Sequence, residues 1–159
     1  QVVFMPTDDY LYPWMKISTL IKYQADMYKD FDREKAQKII RSLDLKLNDK
    51  VSELSTGLKG RLKVAIAISR NAPIYMFDEP LNGLDPISRE IVLKLIIDAC
   101  DDDKVIIISS HLVSELEKCL DRVIFLKDGC VEIHDDAEEL RMLHGKSIES
   151  LYKEVYSVC

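Results

Sequence analysis

Ile74-Tyr75-Met76-Phe77-Asp78-Glu79-Pro80 is the stretch on which the reading of the fold turns. A short apolar run ends on two carboxylates and a proline. The run suits a buried strand, and the acids fall at its carboxyl end. Immediately upstream, Asn71-Ala72-Pro73 stops a helix predicted over Thr56–Arg70, because a proline disfavours helical backbone in the residue before it. Within that helix Val64-Ala65-Ile66-Ala67-Ile68 is apolar all round, so it is expected to be buried rather than amphipathic. Downstream, Asp85-Pro86 reads as an N-cap followed by proline at the first helical position. The helix it opens carries Ile87, Ile91, Leu95 and Ala99 along one side.

Further out the same alternation continues. Val2–Met5 reads as a short strand ending at Pro6, and Ile17–Tyr28 and Arg33–Leu43 show helical spacing. Asp101-Asp102-Asp103 is a solvated turn before a strand at Val105–Ser109, with a short helix near Val113–Cys119 beyond it. Val123–Leu126 and Val131–Ile133 flank Lys127-Asp128-Gly129, a hairpin signal. Helices around Ala137–Leu143 and Ile148–Tyr156 finish the chain. Buried strands alternating with helices predict an α/β domain with a largely parallel sheet. Residues 1–71 read as a mostly helical lobe, 72–134 as an incomplete sheet lobe and 135–159 as a helical tail.

The 159 residues, 47% hydrophobic and 31% charged, fit an ordinary globular domain. A net charge of −6 speaks against a broad nucleic-acid surface, and no nucleic-acid partner is expected. No apolar run approaches the roughly 20 residues that span a bilayer. The chain opens on Gln1 with no basic and apolar leader, and the true N-terminus is expected upstream. Cys100, Cys119, Cys130 and Cys159 form no CxxC pair and read as reduced thiols.

Four places carry chemistry. Asp78-Glu79 at a strand end is costly unless something uses the charge, and Mg²⁺, a hard cation bridging to phosphate, would do so. Taken alone, such a pair is as readily an acidic turn. Leu54-Ser55-Thr56-Gly57-Leu58-Lys59 opens the buried helix, where free N–H groups suit an anion and Gly57 allows close approach. Alone, Ser55 or Thr56 is a cap. His111, after Ser109-Ser110, could meet a phosphate, although a lone histidine is more often structural. Gly83-Leu84-Asp85 is explained by the cap role of Asp85.

Their order and spacing are more specific than any one of them. Leu54–Lys59, Asp78-Glu79-Pro80, Gly83-Leu84-Asp85 and Ser109-Ser110-His111 follow one another with short gaps, and the series resembles the ABC ATPase family as far as about Ile133. In that resemblance Leu54–Lys59 is similar to the signature motif, and Ile74–Glu79 to Walker B with its adjoining glutamate. Leu84-Asp85 is similar to the D-loop, His111 to the switch histidine, and Val2–Pro13 to the segment entering the Q-loop. The signature variant Ser55-Thr56-Gly57-Leu58-Lys59 resembles the ATPase subunits of bacterial multidrug or antibiotic exporters. The family's phosphate loop, G-x-x-x-x-G-K-[ST], is absent from this sequence and would lie upstream of Gln1. Where the family has the Q-loop glutamine, this chain has Thr7, followed by Asp8 and Asp9.

The resemblance implies a truncated P-loop NTPase fold: a helical signature subdomain and an incomplete, largely parallel RecA-like sheet. It implies ATP and Mg²⁺ as ligands, with Asp78 holding the metal, Glu79 as general base and His111 on the γ-phosphate. Ser55, Thr56 and Gly57 would contact ATP held by a second protomer in a head-to-tail dimer, and Asp85 would link the two sites. Thr7 or Asp8 would stand in for the glutamine. A membrane permease is the implied partner, docking near Tyr10, Tyr12, Trp14, Tyr23 and Tyr28, although a core role serves Tyr23 and Tyr28 equally. The location implied is the cytoplasmic face of the cell membrane. Without the phosphate loop, the 159 residues alone are expected to be inactive. A non-transport ATPase of the translation or DNA-repair type, and a non-enzymatic interaction module, are the alternatives.

Overall fold

The computed structural model describes residues 1–157. They form two compact units, Gln1–Ser110 and a second that begins at His111.

In the first unit β1 (Val2–Met5), β2 (Ile74–Asp78) and β3 (Val105–Ser109) form a parallel sheet in the order β1-β2-β3. Phe4 pairs with Met76 and Met76 with Ile107, while Asp78 pairs with Ser109. Val3, Met5, Tyr75 and Phe77 are buried on one face. On the other face Val2, Phe4, Met76, Val105 and Ile107 are exposed, with Phe4 59% accessible. The expectation of fully buried strands therefore needs correction. Only one face is covered, because among the described residues no element lies over the other.

The same unit contains the helices α1 (Ile17–Met27), α2 (Arg33–Ser42), α3 (Thr56–Ile68) and α4 (Pro86–Asp98); α3 packs on β1, and α2 and α4 pack on α3. Leu62 and Val64–Ile68 of α3 are buried all round, as their unbroken apolar character requires. Ile17, Leu20 and Ile21 of α1, Ala36 and Ile40 of α2, and Leu62, Ala65 and Ile66 of α3 share one core. Asp32 caps α2 through Lys35 N–H at 2.9 Å, and Ser55 caps α3 through Leu58 N–H at 3.3 Å. Helix α3 ends at Ile68, two positions before the expected Arg70. Arg70 instead bridges to Phe31, its guanidinium gripping Asp30 at 3.0 Å through two nitrogens.

Helix α4 also departs from expectation. Its buried positions are Ser88, Val92 and Ile96; Ile91 and Leu95 are partly buried, and Ile87 is 69% exposed. Asp85 holds Ser88 through both N–H and hydroxyl, which turns that side of α4 onto α3.

The second unit contains α5 (Val113–Leu116), the hairpin β4 (Arg122–Lys127) and β5 (Cys130–Asp136), α6 (Ala137–His144) and α7 (Ile148–Tyr156). Asp128 and Gly129 take φ of 51° and 79°, the left-handed pair that a two-residue hairpin turn requires. Val113, Val123, Phe125, Ala137, Leu140, Ile148 and Leu151 form its core. No helix among the described residues is long and apolar enough to cross a membrane.

Candidate active site

The parallel register brings the carboxyl ends of three strands together, where open α/β sheets bind ligands. Thr7 follows β1, Asp78 and Glu79 end β2, and Ser109 and Ser110 end β3. The Ser109 hydroxyl donates to Asp78 Oδ1 at 2.5 Å and the Thr7 hydroxyl to Oδ2 at 2.7 Å. These bonds, that from Ser109 first, hold the Asp78 carboxyl below the usual carboxylate range. Asp78 is thus an oriented anion at pH 7.

Glu79 has φ 45°, in the left-handed region that a side chain disfavours. Its N–H donates to Ser109, with both the carbonyl and hydroxyl oxygens at 3.1 Å, and this grip holds the unfavourable backbone in place. Asn82 N–H closes the following turn on the Glu79 carbonyl at 3.1 Å. Strain of this kind costs about 1–3 kcal/mol and clusters at functional sites.

The turn at Ser55–Gly57 is built differently. Ser55 Oγ is a cap acceptor, Thr56 is exposed, and Gly57 is buried. A Cβ on Gly57 would fall 2.4 Å from Ser88 Oγ and 2.9 Å from Asp85 Oδ2. A Cβ on Gly60 would fall 2.8 Å from Leu84 Cδ2. Both glycines therefore let α3 lie directly on the Leu84-Asp85 turn of the same chain. Ser88 Oγ donates to Asp85 Oδ2 at 2.6 Å and accepts from Arg61 Nη2 at 3.1 Å. The Ser88 bonds hold Asp85 below its ordinary pKa. Asp85 is therefore a cap whose carboxylate is already engaged on both oxygens.

A cleft of about 220 Å³ lies between these parts, lined by Thr7, Asp9, Thr56, Lys59, Lys63 and Glu79 among others. Thr7, Thr56, Glu79 and the Leu84 turn are thus brought together. Asp8 meets this region through its main-chain carbonyl, which accepts from Lys63 at 3.0 Å. His111 opens the second unit, one residue beyond Ser110.

The aromatic group divides. Tyr12 lies 5.5 Å from Trp14 and 5.7 Å from Tyr23, ring centre to ring centre, and Tyr12 and Trp14 are exposed. Tyr28 instead stacks on the Arg70 guanidinium at 3.8 Å. Tyr10 packs on the helical core, and burial raises its phenol pKa.

The donor set around Asp78 is oxygen only, which fits Mg²⁺. Among the described residues no group of three or more His, Cys, Asp or Glu side chains could hold a metal. Mg²⁺ typically relies on one or two carboxylates plus substrate phosphates, so a lone oriented carboxylate suits it.

Sequence reading missed Lys63, Arg61, Ser88 and the role of Ser109 in fixing Asp78. The available signal was charge at Lys63 inside an apolar run, since a lysine there must find partners.

The family model described as ABC transporter matches residues 1–82, just over half the chain, including Ser55–Gly57, Asp78 and Glu79. The ABC transporter ATP-binding protein YtrB of Bacillus subtilis (strain 168) is 28% identical over 141 residues, covering 88% of this chain and 48% of that protein. The Nod factor export ATP-binding protein I of Rhizobium etli is 37% identical over 87 residues, covering 55% of this chain and 28% of that protein. The chain thus spans about half, or less, of the length of these relatives. A solved ATP-binding subunit of an ABC transporter superposes with a TM-score of 0.86 over 99% of this chain and 69% of that one, at 22% identity, which establishes the fold. The α/β architecture with its parallel sheet, the order of the site segments and the family match agree, and the chain belongs to the ABC transporter family, as part of an ATP-binding domain.

Proposed function

We propose that this chain is part of the ATP-hydrolysing subunit of an ABC transporter that exports its substrate through a membrane permease. The observation that carries the reading is the Asp78-Glu79 pair: one carboxylate oriented by two hydroxyls, the next on strained backbone, both at the carboxyl end of β2. Asp78 would hold Mg²⁺, directly or through water, on the phosphates of ATP. When bound, Mg²⁺ neutralises charge developing on the transferred phosphoryl group. Glu79 accepts a proton from the attacking water, and its fixed backbone supplies the orientation that such a base needs. The likeness of His111 to the family's switch histidine supports a role for it on the γ-phosphate.

Ser55, Thr56 and Gly57 meet the nucleotide of a second protomer, and Asp85 lies at that junction. The direct packing of Gly57 on Ser88 and Asp85 supports a rigid unit that moves as one when the dimer closes. Thr7 holds Asp78 where the family's glutamine would report the nucleotide state, and the exposed Tyr12 and Trp14, further along the same segment, are the proposed permease contact. Aromatics suit such an interface. The bare apolar sheet face supports a covering layer belonging to the rest of the nucleotide-binding lobe. The place of action is the cytoplasmic face of the membrane, and the likeness of the signature variant Ser55–Lys59 to that of exporter subunits supports export rather than import.

The test is Glu79→Gln in the protein at its full encoded length. Turnover should fall about 10²–10⁴-fold, roughly 3–5 kcal/mol of barrier, with ATP binding retained. Unchanged turnover removes Glu79 from the chemistry.

A further inference from the structure

Lys63 is the charged group that the proposed function leaves unused. It sits in α3 directly before the all-apolar Val64–Ile68 and is only 7% exposed. Burial lowers its pKa, opposed by the charges of Asp9, Asp8 and Asp78. An ammonium so buried needs acceptors for its donors. Its Nζ donates to the main-chain carbonyls of Thr7 at 2.8 Å and Asp8 at 3.0 Å, and stands 5.5 Å from the centre of the Tyr10 ring.

Those carbonyls lie just beyond β1, which ends at Met5, so the sheet ladder no longer holds them. One cation gripping two consecutive carbonyls fixes the turn there. That turn carries the Thr7 hydroxyl, which is bonded to Asp78 Oδ2 at 2.7 Å and also faces the Asp78 carbonyl at 3.2 Å. Hence a short chain of bonds runs from the helix of Ser55–Gly57, through Lys63 and Thr7, to the carboxylate. Groups that hold a metal ligand from outside tune its affinity about 10–100-fold.

We propose that Lys63 is a positioning residue for the divalent cation, clamping the Thr7–Asp8 main chain so that the Thr7 hydroxyl sets the orientation of Asp78. The inference rests on the reading of Asp78 as the metal carboxylate. It also accounts for a threonine at the family's glutamine position: a short side chain reaches Asp78 only if its backbone is drawn close.

The experiment measures Mn²⁺ affinity by electron paramagnetic resonance on the nucleotide-loaded protein at full encoded length. Lys63→Met, which keeps the apolar stem, should weaken Mn²⁺ about tenfold. Thr7→Val should do the same, and the double variant should be no weaker than Lys63→Met alone. Lys63→Arg should restore part of the affinity, since a guanidinium also serves two carbonyls. The apparent KM for Mg²⁺ should rise more than kcat falls, and amides at residues 7–10 should exchange faster in Lys63→Met. A folded Lys63→Met with wild-type Mn²⁺ affinity overturns the proposal, as do additive losses in the double variant. If Lys63→Met does not fold, Thr7→Val decides, and wild-type affinity there overturns it equally. Asp78→Asn separates the two levels. If it leaves Mn²⁺ binding intact, the reading of Asp78 fails and the inference with it. If it abolishes binding while Lys63→Met does not, the inference alone falls.

Discussion

Replacing Gly57 by alanine sets two effects of opposite sign against each other. Gly57 lies in the first turn of α3, where alanine is the better helix former by up to about 1 kcal/mol. The new Cβ would, however, sit 2.4 Å from Ser88 Oγ and 2.9 Å from Asp85 Oδ2. Ser88 is 1% exposed, so its hydroxyl has no route to water. Displacing it breaks the 2.6 Å bond to the Asp85 carboxylate, worth about 1.5–3 kcal/mol for a charged acceptor, and disturbs the bond from Arg61. The clash wins, and Gly57→Ala should destabilise by about 1–2 kcal/mol. In a Ser88→Ala background the closest obstacle is gone; Asp85 Oδ2 at 2.9 Å remains but is released from its hydroxyl bond and can turn away, and the position-88 Cβ lies at 3.3 Å. There Gly57→Ala should be close to neutral, giving a coupling of about 1–2 kcal/mol between the sites. Urea denaturation of the four cycle members, with amide exchange read over residues 56–68 and 86–98, measures this. A Gly57→Ala protein as stable as wild type, or a cycle additive to within about 0.5 kcal/mol, would refute the packing argument.

Two further outcomes follow from the geometry. Ser109→Ala should raise the pKa of Asp78 toward the ordinary carboxylate value, and Thr7→Val should do so less, since the Ser109 bond is the larger cause. The folded-state pKa is depressed, so its stabilisation is present above the unfolded carboxylate pKa and is lost as pH falls through the folded one. Ser109→Ala should therefore lose the contribution of Asp78 to stability at neutral pH, and its acid limb should be shallower, with the onset still set by the unfolded carboxylate pKa. Carboxyl NMR of Asp78 against pH checks this, and an unmoved titration counts against the assignment. Asp30→Ala should cost about 3 kcal/mol, because it strands the Arg70 guanidinium, only 14% exposed, beneath Tyr28. A urea midpoint within error of wild type would show that the pair does not hold the α1–α2 turn to the end of α3.

Elements declared by local chemistry were legible in the sequence. Asp85-Pro86 opens α4 where cap and proline coincide, and Asp128-Gly129 sets the hairpin because both residues tolerate positive φ. The apolar run Val64–Ile68 announced burial, and the carboxylates at the end of β2 followed from strand direction. What was not legible depends on distant partners. The face of α4 was misjudged because Ile87 looks as apolar as Val92; only the Asp85–Ser88 cap and the glycine-lined surface of α3 decide which is covered. Lys63 binds carbonyls 55 and 56 positions away. Main-chain acceptors leave no trace in side-chain spacing.

Asp85 shows why a structural reading and a functional one need not compete. Its two carboxylate oxygens accept from Ser88, which fully accounts for an aspartate before a proline at a helix start. Each oxygen retains a second lone pair, and the carboxylate remains ionised because Ser88 holds its pKa down. The residue itself is exposed. A cap that is anionic, fixed in direction and open to solvent costs no reorganisation when a partner's donor arrives. Glu79 presents the complementary case. Nothing in strand or turn formation asks for left-handed backbone at a glutamate, and glycine would serve that turn better. Where the local rule is satisfied, as at Asp85, structure alone explains the residue, and the proposed function is compatible with it. Where the rule is broken, as at Glu79, the side chain must supply the reason, and the proposed role of its carboxylate as the base at the strand end supplies one.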